Sequence, residues 1–274
     1  MHYYTSFDGL KLAYQDEGTG LPLLCLAGLT RSSTDFDYLR PHLPPVRLIR
    51  PDYRGRGASG WSDDPQTYSW DIEARDVIDL LDHLGIEKVA ILGTSRGGMI
   101  AMYLAATAKD RLIGVCLNDI GPVLAKEGLD KIKSYVGKPL PYTNRAELVA
   151  ATIADSPDFP GVPAARWRQE VERHTIETPD GLGLTYDPTL RLRFEIAATK
   201  PAPDLWSLFD AMDGLPIALI RGQNSNVLSS ETADEMRRRR PDMGFADIPD
   251  RGHIPFLDEP AAVATISDWL GECG

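Results

Sequence analysis

The chain has 274 residues, 43% of them hydrophobic, and a formal net charge of −11 at pH 7. Such a length suits one α/β catalytic domain with an insertion, and is ample for a large core. The acidic balance aids solubility and repels phosphate backbones, so nucleic acid is a poor candidate as a partner. The one basic run, 237–240, follows Glu231, Asp234 and Glu235. It reads as a solvated helix end whose cations suit the helix dipole. Cys25, Cys116 and Cys273 show no C-x-x-C spacing. The first two sit in apolar runs, as small buried hydrophobes of a reducing compartment do. No basic-then-apolar leader and no run of about 18 apolar residues is visible. The expectation is a cytoplasmic chain without signal peptide or membrane span, its oligomeric state open.

In chain order, segments 5–7 and 10–15 flank Asp8-Gly9, a hairpin signal. Residues 21–27 and 46–51 are short apolar runs suited to buried parallel strands. Residues 69–84 predict a helix, with Ile72, Val77, Leu80, Leu81 and Leu84 on one side. A strand at 89–92, a helix at 95–108 and a strand at 112–117 follow. Alternation of this kind implies a mostly parallel sheet flanked by helices.

The pattern changes over 121–213. Prolines 122, 139, 141, 157, 160, 163, 179, 188, 201 and 203 break the segment, and no strong strand appears. Amphipathic pieces lie at 145–154, 164–174 and 205–212. Strands resume at 217–220 and 245–248, and a helix at 260–270 closes the chain. The expected organisation is a core domain of 1–120 and 214–274, interrupted by a helical cap of 121–213. Such a cap would cover the carboxyl edge of the sheet, where open α/β sheets bind ligands.

The sharpest motif is Gly93-Thr94-Ser95-Arg96-Gly97, a G-x-S-x-G between a strand and a helix. Small residues two before and two after the serine are what a tight strand-to-helix turn requires. The turn places Ser95 at a helix N-terminus, which favours a developing oxyanion. A phosphate loop of the G-x-x-x-x-G-K-[ST] type is absent from the sequence. The G-x-G-x-x-G match at Gly55–Gly60 opens no helix pattern and is a weak dinucleotide signal.

With this elbow in place, the chain resembles the α/β-hydrolase superfamily, in its esterase-like branch with a helical cap. The resemblance also rests on Pro51-Asp52-Tyr53-Arg54-Gly55-Arg56-Gly57-Ala58-Ser59, on Asn118-Asp119-Ile120-Gly121-Pro122, and on Gly252-His253-Ile254-Pro255 followed by Glu259-Pro260. It implies an α/β-hydrolase fold and a catalytic triad with Ser95 as nucleophile. A serine hydroxyl needs an adjacent base. Of five histidines, only His253 sits in a late loop as the chain order Ser, acid, His demands. The family places its acid in the loop after the strand that follows the cap, and Asn226 stands at that position. Three alternatives are open: Asn226 replaces the acid and activity is impaired; Asp119, at the end of the sixth strand, supplies the carboxylate; or the Ser-His pair works without one, or the protein only binds.

The resemblance further assigns the oxyanion hole to two backbone N–H groups. One is that of Arg96, directly after the nucleophile; the other lies in the loop after the third strand, at Leu29. The Arg96 side chain either meets a substrate carboxylate or pairs with an acid of the cap, the pairing being favoured. Tyr135, Phe159, Trp167, Tyr186, Trp206 and Phe209 are candidate pocket aromatics. No metal-ligand spacing occurs, so neither metal nor cofactor is expected. The implied activity is hydrolysis of a carboxylic ester, lactone or thioester through a Ser95 acyl-enzyme, with a small-molecule acyl substrate as the partner. C–C bond hydrolysis or haloperoxidase-like chemistry on the same triad is an alternative, and a ligand-binding receptor on a degenerate hydrolase fold is another.

Overall fold

The computed structural model describes residues 1–198 and 204–274. Its centre is an eight-stranded sheet. The strands are β1 (His2–Thr5), β2 (Lys11–Glu17), β3 (Leu21–Leu26), β4 (Val46–Pro51), β5 (Val89–Thr94), β6 (Leu112–Asn118), β9 (Ile217–Gly222) and β10 (Gly244–Ile248), with β7 and β8 lying apart from it. Their spatial order is β1-β2-β4-β3-β5-β6-β9-β10. The first two pairings, β1 with β2 and β2 with β4, are antiparallel; all others are parallel. The central strands read as unbroken apolar runs because both their faces are covered. β5 and β9 are buried at every position. The hairpin expected across Asp8-Gly9 forms slightly earlier and wider, with Thr5 opposite Lys11.

Helices flank the sheet: α1 (Trp70–His83), α2 (Arg96–Thr107), α8 (Ser230–Arg239) and α9 (Pro260–Cys273). On α1 the apolar stripe is Ala74, Val77, Leu80 and Leu81, yet two carboxylates, Glu73 and Asp76, are buried beside it. Acids on a buried face need partners. Asp76 finds Arg54 at 2.6 Å, and Glu73 finds Arg56 and Arg96, each at 2.7 Å. The basic run ends α8 as expected, with Arg238 and Arg239 both paired to Glu235.

Between the neighbouring strands β6 and β9 the chain leaves the sheet. This excursion carries α3 (Lys126–Tyr135), α4 (Arg145–Ala154), α5 (Ala164–His174), α6 (Leu190–Ala198) and α7 (Trp206–Asp210). It is mainly helical, with one correction: β7 (Thr175–Thr178) and β8 (Gly181–Leu184) form an antiparallel hairpin. Strands of only four residues are too short to show a hydrophobic alternation. Pro179-Asp180-Gly181 between them is nonetheless a turn signal. Prolines 201 and 203 lie outside the described residues. At the far end of the excursion, Phe209 and Met212 pack into the main core.

Candidate active site

Three strand ends converge at the carboxyl edge of the sheet. β5 and β6 are neighbours in register, Thr94 opposite Asn118, so the residues that follow them emerge side by side. These are Ser95 and Asp119. The Ser95 N–H donates to Asn118 O at 3.0 Å, and the Asp119 N–H to Ile220 O at 2.7 Å. Both residues have positive φ, 48° at Ser95 and 54° at Asp119. Non-glycine residues in that region store local strain, which clusters at functional sites.

The elbow explains its own glycines. A Cβ on Gly97 would sit 2.1 Å from Leu26 O, and one on Gly93 would sit 2.6 Å from the Gly97 backbone. The turn is therefore closed to any larger residue at either place. α2 begins at Arg96, so the helix N-terminus points at the serine.

His253 comes from the loop after β10. Its Nε2 lies 3.0 Å from Ser95 Oγ and its Nδ1 lies 2.7 Å from Asp119 Oδ2. The Asp119 carboxylate is fully buried and fully bonded. Its Oδ1 accepts the Gly222 N–H at 2.8 Å, and its Oδ2 accepts the Ser225 hydroxyl at 2.6 Å. Two polar donors and an imidazole compensate a buried negative charge that would otherwise be very costly.

This arrangement corrects the placement of Asn226. Both ring nitrogens of His253 are engaged, one by Ser95 and the other by Asp119, so the imidazole has no edge left for an amide. Position 226 lies beside α3 instead, where its backbone carbonyl closes on Gly128. The loop after β9 still touches the acid, but through Ser225. The second of the three sequence alternatives matches this geometry.

The two N–H groups expected to form the oxyanion hole belong to Leu29, in the loop after β3, and to Arg96. β3 pairs directly with β5, which brings that loop beside the elbow. Among the described residues, neither N–H has a protein acceptor. The Arg96 side chain is paired, as favoured, but with Glu73 of the core helix α1 rather than with an acid of the cap.

A cavity of about 400 Å³ opens beside His253. Tyr38, Phe159, Trp167 and Phe256 line it, with Arg31 and Asp35 on the side of the loop after β3 and Lys131, Asp155 and Glu170 on the side of the insertion. Phe159 meets Trp167 edge-on at 5.6 Å and Phe256 at 5.7 Å between ring centroids. Arg31 reaches Glu170 at 2.9 Å and Asp35 at 3.7 Å. Burial alone would disfavour its charge, but those two carboxylates outweigh it and raise the guanidinium pKa. Its charge is thus compensated within the protein. Glu170 and His174 belong to α5, and His174 Nε2 meets Asp35 at 2.8 Å, so α5 is fastened to the loop after β3 at the cavity wall.

Of the six candidate aromatics, Tyr135, Phe159 and Trp167 line the cavity. Tyr186 packs with Tyr68, Val136 and Leu190, and Phe209 joins the main core, with Trp206 against it. Tyr38 and Phe256, outside the insertion, escaped the sequence reading. Among the described residues, no group of three or more His, Cys, Asp or Glu side chains could hold a metal ion, and no helix is long and apolar enough to cross a membrane.

The sequence profile of the alpha/beta hydrolase family matches residues 23–266. A 3-hydroxybutyrate-oligomer hydrolase from Cupriavidus necator is 36% identical over 268 residues, 93% of this chain and 90% of that protein. A 2-(acetamidomethylene)succinate hydrolase from Mesorhizobium japonicum is 26% identical over 262 residues, covering 94% and 89% of the two chains. The crystal structure of an alpha/beta hydrolase from Novosphingobium aromaticivorans superposes with a TM-score of 0.92 at 35% identity, over 99% of this chain and 97% of the other.

Proposed function

This chain belongs to the α/β-hydrolase family, and we propose that it is a serine hydrolase of carboxylic esters working through a Ser95 acyl-enzyme. The observation that carries the reading is the continuous relay from Ser95 Oγ through His253 to Asp119, at 3.0 and 2.7 Å. In this reading His253 Nε2 takes the Ser95 proton as the hydroxyl attacks the acyl carbon, then returns it to the leaving alcohol. Asp119 holds the imidazole in the Nδ1–H tautomer and stabilises the imidazolium. The Leu29 and Arg96 N–H groups meet the oxyanion. Water, activated by the same histidine, releases the acid. Asn226 has no part in the chemistry, so the protein is a fully equipped hydrolase rather than an impaired one.

Residues 121–213 act as a cap over a core of 1–120 and 214–274. A cavity of about 400 Å³ lies at the small end of the range for small-molecule sites, roughly 300–1,000 Å³. With Arg31 already compensated, the aromatic walls favour a short acyl group over a highly charged one. Esters of short hydroxy acids fit these walls, and the Cupriavidus necator relative supports that choice.

The test is a substrate panel of p-nitrophenyl esters, 3-hydroxybutyrate dimer and trimer, lactones and a vinylogous β-diketone, run on the wild type and on Ser95→Ala. Ester turnover that disappears in Ser95→Ala supports the reading. Exclusive turnover of the diketone would replace it with C–C hydrolysis. No turnover and no covalent labelling of Ser95 by a fluorophosphonate would replace it with a ligand-binding role.

A further inference from the structure

The buried arginines differ in how many carboxylates they meet: among the described residues Arg221 and Arg240 have one each, while Arg50 and Arg54 have two. Arg50 meets Glu17 and Asp37, each at 2.6 Å, and Arg54 meets Asp8 at 2.8 Å and Asp76 at 2.6 Å. At Glu73 the ratio is inverted: its single carboxylate serves both Arg56 and Arg96. Glu73 and Arg56 are fully buried, and the Arg96 side chain is only 15% exposed. Among the described residues, Arg56 Nη2 has no hydrogen-bond acceptor. A buried cluster with one positive charge in excess is costly if its task is stability alone.

Its position suggests another task. Arg56 Nε donates to the Leu29 carbonyl at 2.8 Å, and Arg56 Nη1 to Glu73 Oε1 at 2.7 Å. Arg96 Nε donates to Glu73 Oε2 at 2.7 Å, and Arg96 Nη2 to Tyr68 O at 3.2 Å. Leu29 and Arg96 are the two residues whose N–H groups face the oxyanion in the ester-hydrolase reading. One carboxylate therefore ties the β3 loop to the nucleophile elbow. The Arg56 guanidinium is itself fixed, 5.6 Å from each of the Tyr53 and Tyr68 ring centroids. Its loop is fastened to the insertion, with Gly57 N–H donating to Thr185 O at 3.0 Å and Asp187 N–H to Gly55 O at 2.8 Å.

The geometry points to Glu73 as a positioning residue of the oxyanion hole: through Arg56 and Arg96 it sets the spacing of the Leu29 and Arg96 donors and keeps one excess positive charge behind them. Oxyanion donors act through preorganisation, so small changes in their separation weaken transition-state binding far more than substrate binding. Burial opposes ionisation of Glu73, but the two arginines outweigh it and hold its carboxyl below the usual range, which favours the charged bridge. The G-x-G-x-x-G match at Gly55–Gly60 thus finds its place as the loop that carries Arg56.

This inference rests on the ester-hydrolase reading, and its experiment separates the two. Steady-state kinetics on p-nitrophenyl butyrate and the Kd of phenylboronic acid, which mimics the tetrahedral state, are measured for the wild type, Glu73→Gln, Arg96→Met and Arg96→Lys. Arg96→Met keeps the backbone N–H and the Arg56–Glu73 pair, so it remains informative if Glu73→Gln fails to fold. Arg96→Met is expected to lower kcat by about tenfold to a hundredfold, to weaken boronate binding in parallel, and to leave KM within about threefold. Arg96→Lys, which still reaches Glu73, recovers part of both. An active wild type whose Arg96→Met variant keeps kcat and boronate affinity while Tm falls has a merely structural bridge, and that overturns the inference alone. A wild type that neither hydrolyses the ester nor binds the boronate overturns the ester reading and the inference with it.

Discussion

Ser225 donates its hydroxyl to Asp119 Oδ2 at 2.6 Å, and the same oxygen lies 2.7 Å from His253 Nδ1. Ser225 Oγ in turn accepts the N–H groups of Val227 and Leu228 at 3.2 and 3.1 Å. One hydroxyl therefore joins the loop after β9 to the acid of the relay. Ser225→Ala would leave two N–H groups without their acceptor and the carboxylate with one donor fewer. Its expected effect is a stability loss of about 1–3 kcal/mol and a fall in kcat of roughly threefold to tenfold. Urea titration and p-nitrophenyl butyrate kinetics read the two effects separately; full kcat in the variant would show that the hydroxyl does not hold the carboxylate.

The acid itself is tested by a pair of substitutions. Asp119→Asn retains an acceptor for the Gly222 N–H but cannot stabilise an imidazolium. A drop in kcat of up to about 10⁴-fold is expected, with KM little changed. Asn226→Asp adds a carboxylate on the half-buried loop beside α3, and both ring nitrogens of His253 are already engaged, so kcat is expected to stay within about twofold. A large gain in Asn226→Asp, together with an indifferent Asp119→Asn, would reverse the assignment.

The elbow was legible because its chemistry is local. Gly93, Ser95 and Gly97 are four residues apart end to end, and steric exclusion at a tight turn leaves a direct mark on the sequence. His253 was legible from its place in the chain order. The carboxylate that meets the imidazole was not, because its place depends on which of two neighbouring strand ends, β6 or β9, lies against the ring. Nothing in the local sequence of Asp119 or Asn226 encodes that pairing. The β7–β8 hairpin escaped for a different reason: its strands, four residues each, are too short to show a hydrophobic period. Glu73 reads in sequence as an ordinary polar position on α1, and its burial follows only from Arg56 and Arg96, which arrive from two other segments.

Stability should carry a pH signature from α1. Burial raises the Asp76 carboxyl from about 3.8 to about 6, and Arg54 only partly offsets this. Unfolded, Asp76 ionises near its ordinary value, so between about pH 4 and pH 6 the folded chain holds the proton more tightly. The folded state therefore binds more protons in that window, and this residue's contribution falls as pH rises through it, by up to about 3 kcal/mol. Comparing urea unfolding of the wild type and Asp76→Asn from pH 4 to pH 7 isolates the effect from other carboxylates. The difference in stability between the two should change by that amount toward the variant as pH rises; a pH-independent difference would show that Arg54 fully compensates the buried charge.

Acyl-chain selectivity should be set by the aromatic wall. Phe159 lies on the insertion, half-buried, in edge contact with Trp167 and tilted contact with Phe256, and it borders the cavity beside His253. Trp167 is the more buried ring and anchors the small apolar cluster with Val149 and Val171, so its removal would disturb the insertion itself. Phe159→Ala removes a wall with less damage to that cluster. The space gained accepts additional methylenes, each worth about 0.8 kcal/mol when buried. Shorter acyl groups gain nothing from the enlarged cavity and lose the contact with the ring. The expected result is a rise of roughly tenfold or more in the ratio of kcat/KM for the octanoate ester to that for the butyrate ester, with Ser95 labelling by a small fluorophosphonate unchanged. If the ratio stays constant while labelling also stays constant, the acyl chain does not enter this cavity, and the space beside His253 serves the leaving group instead.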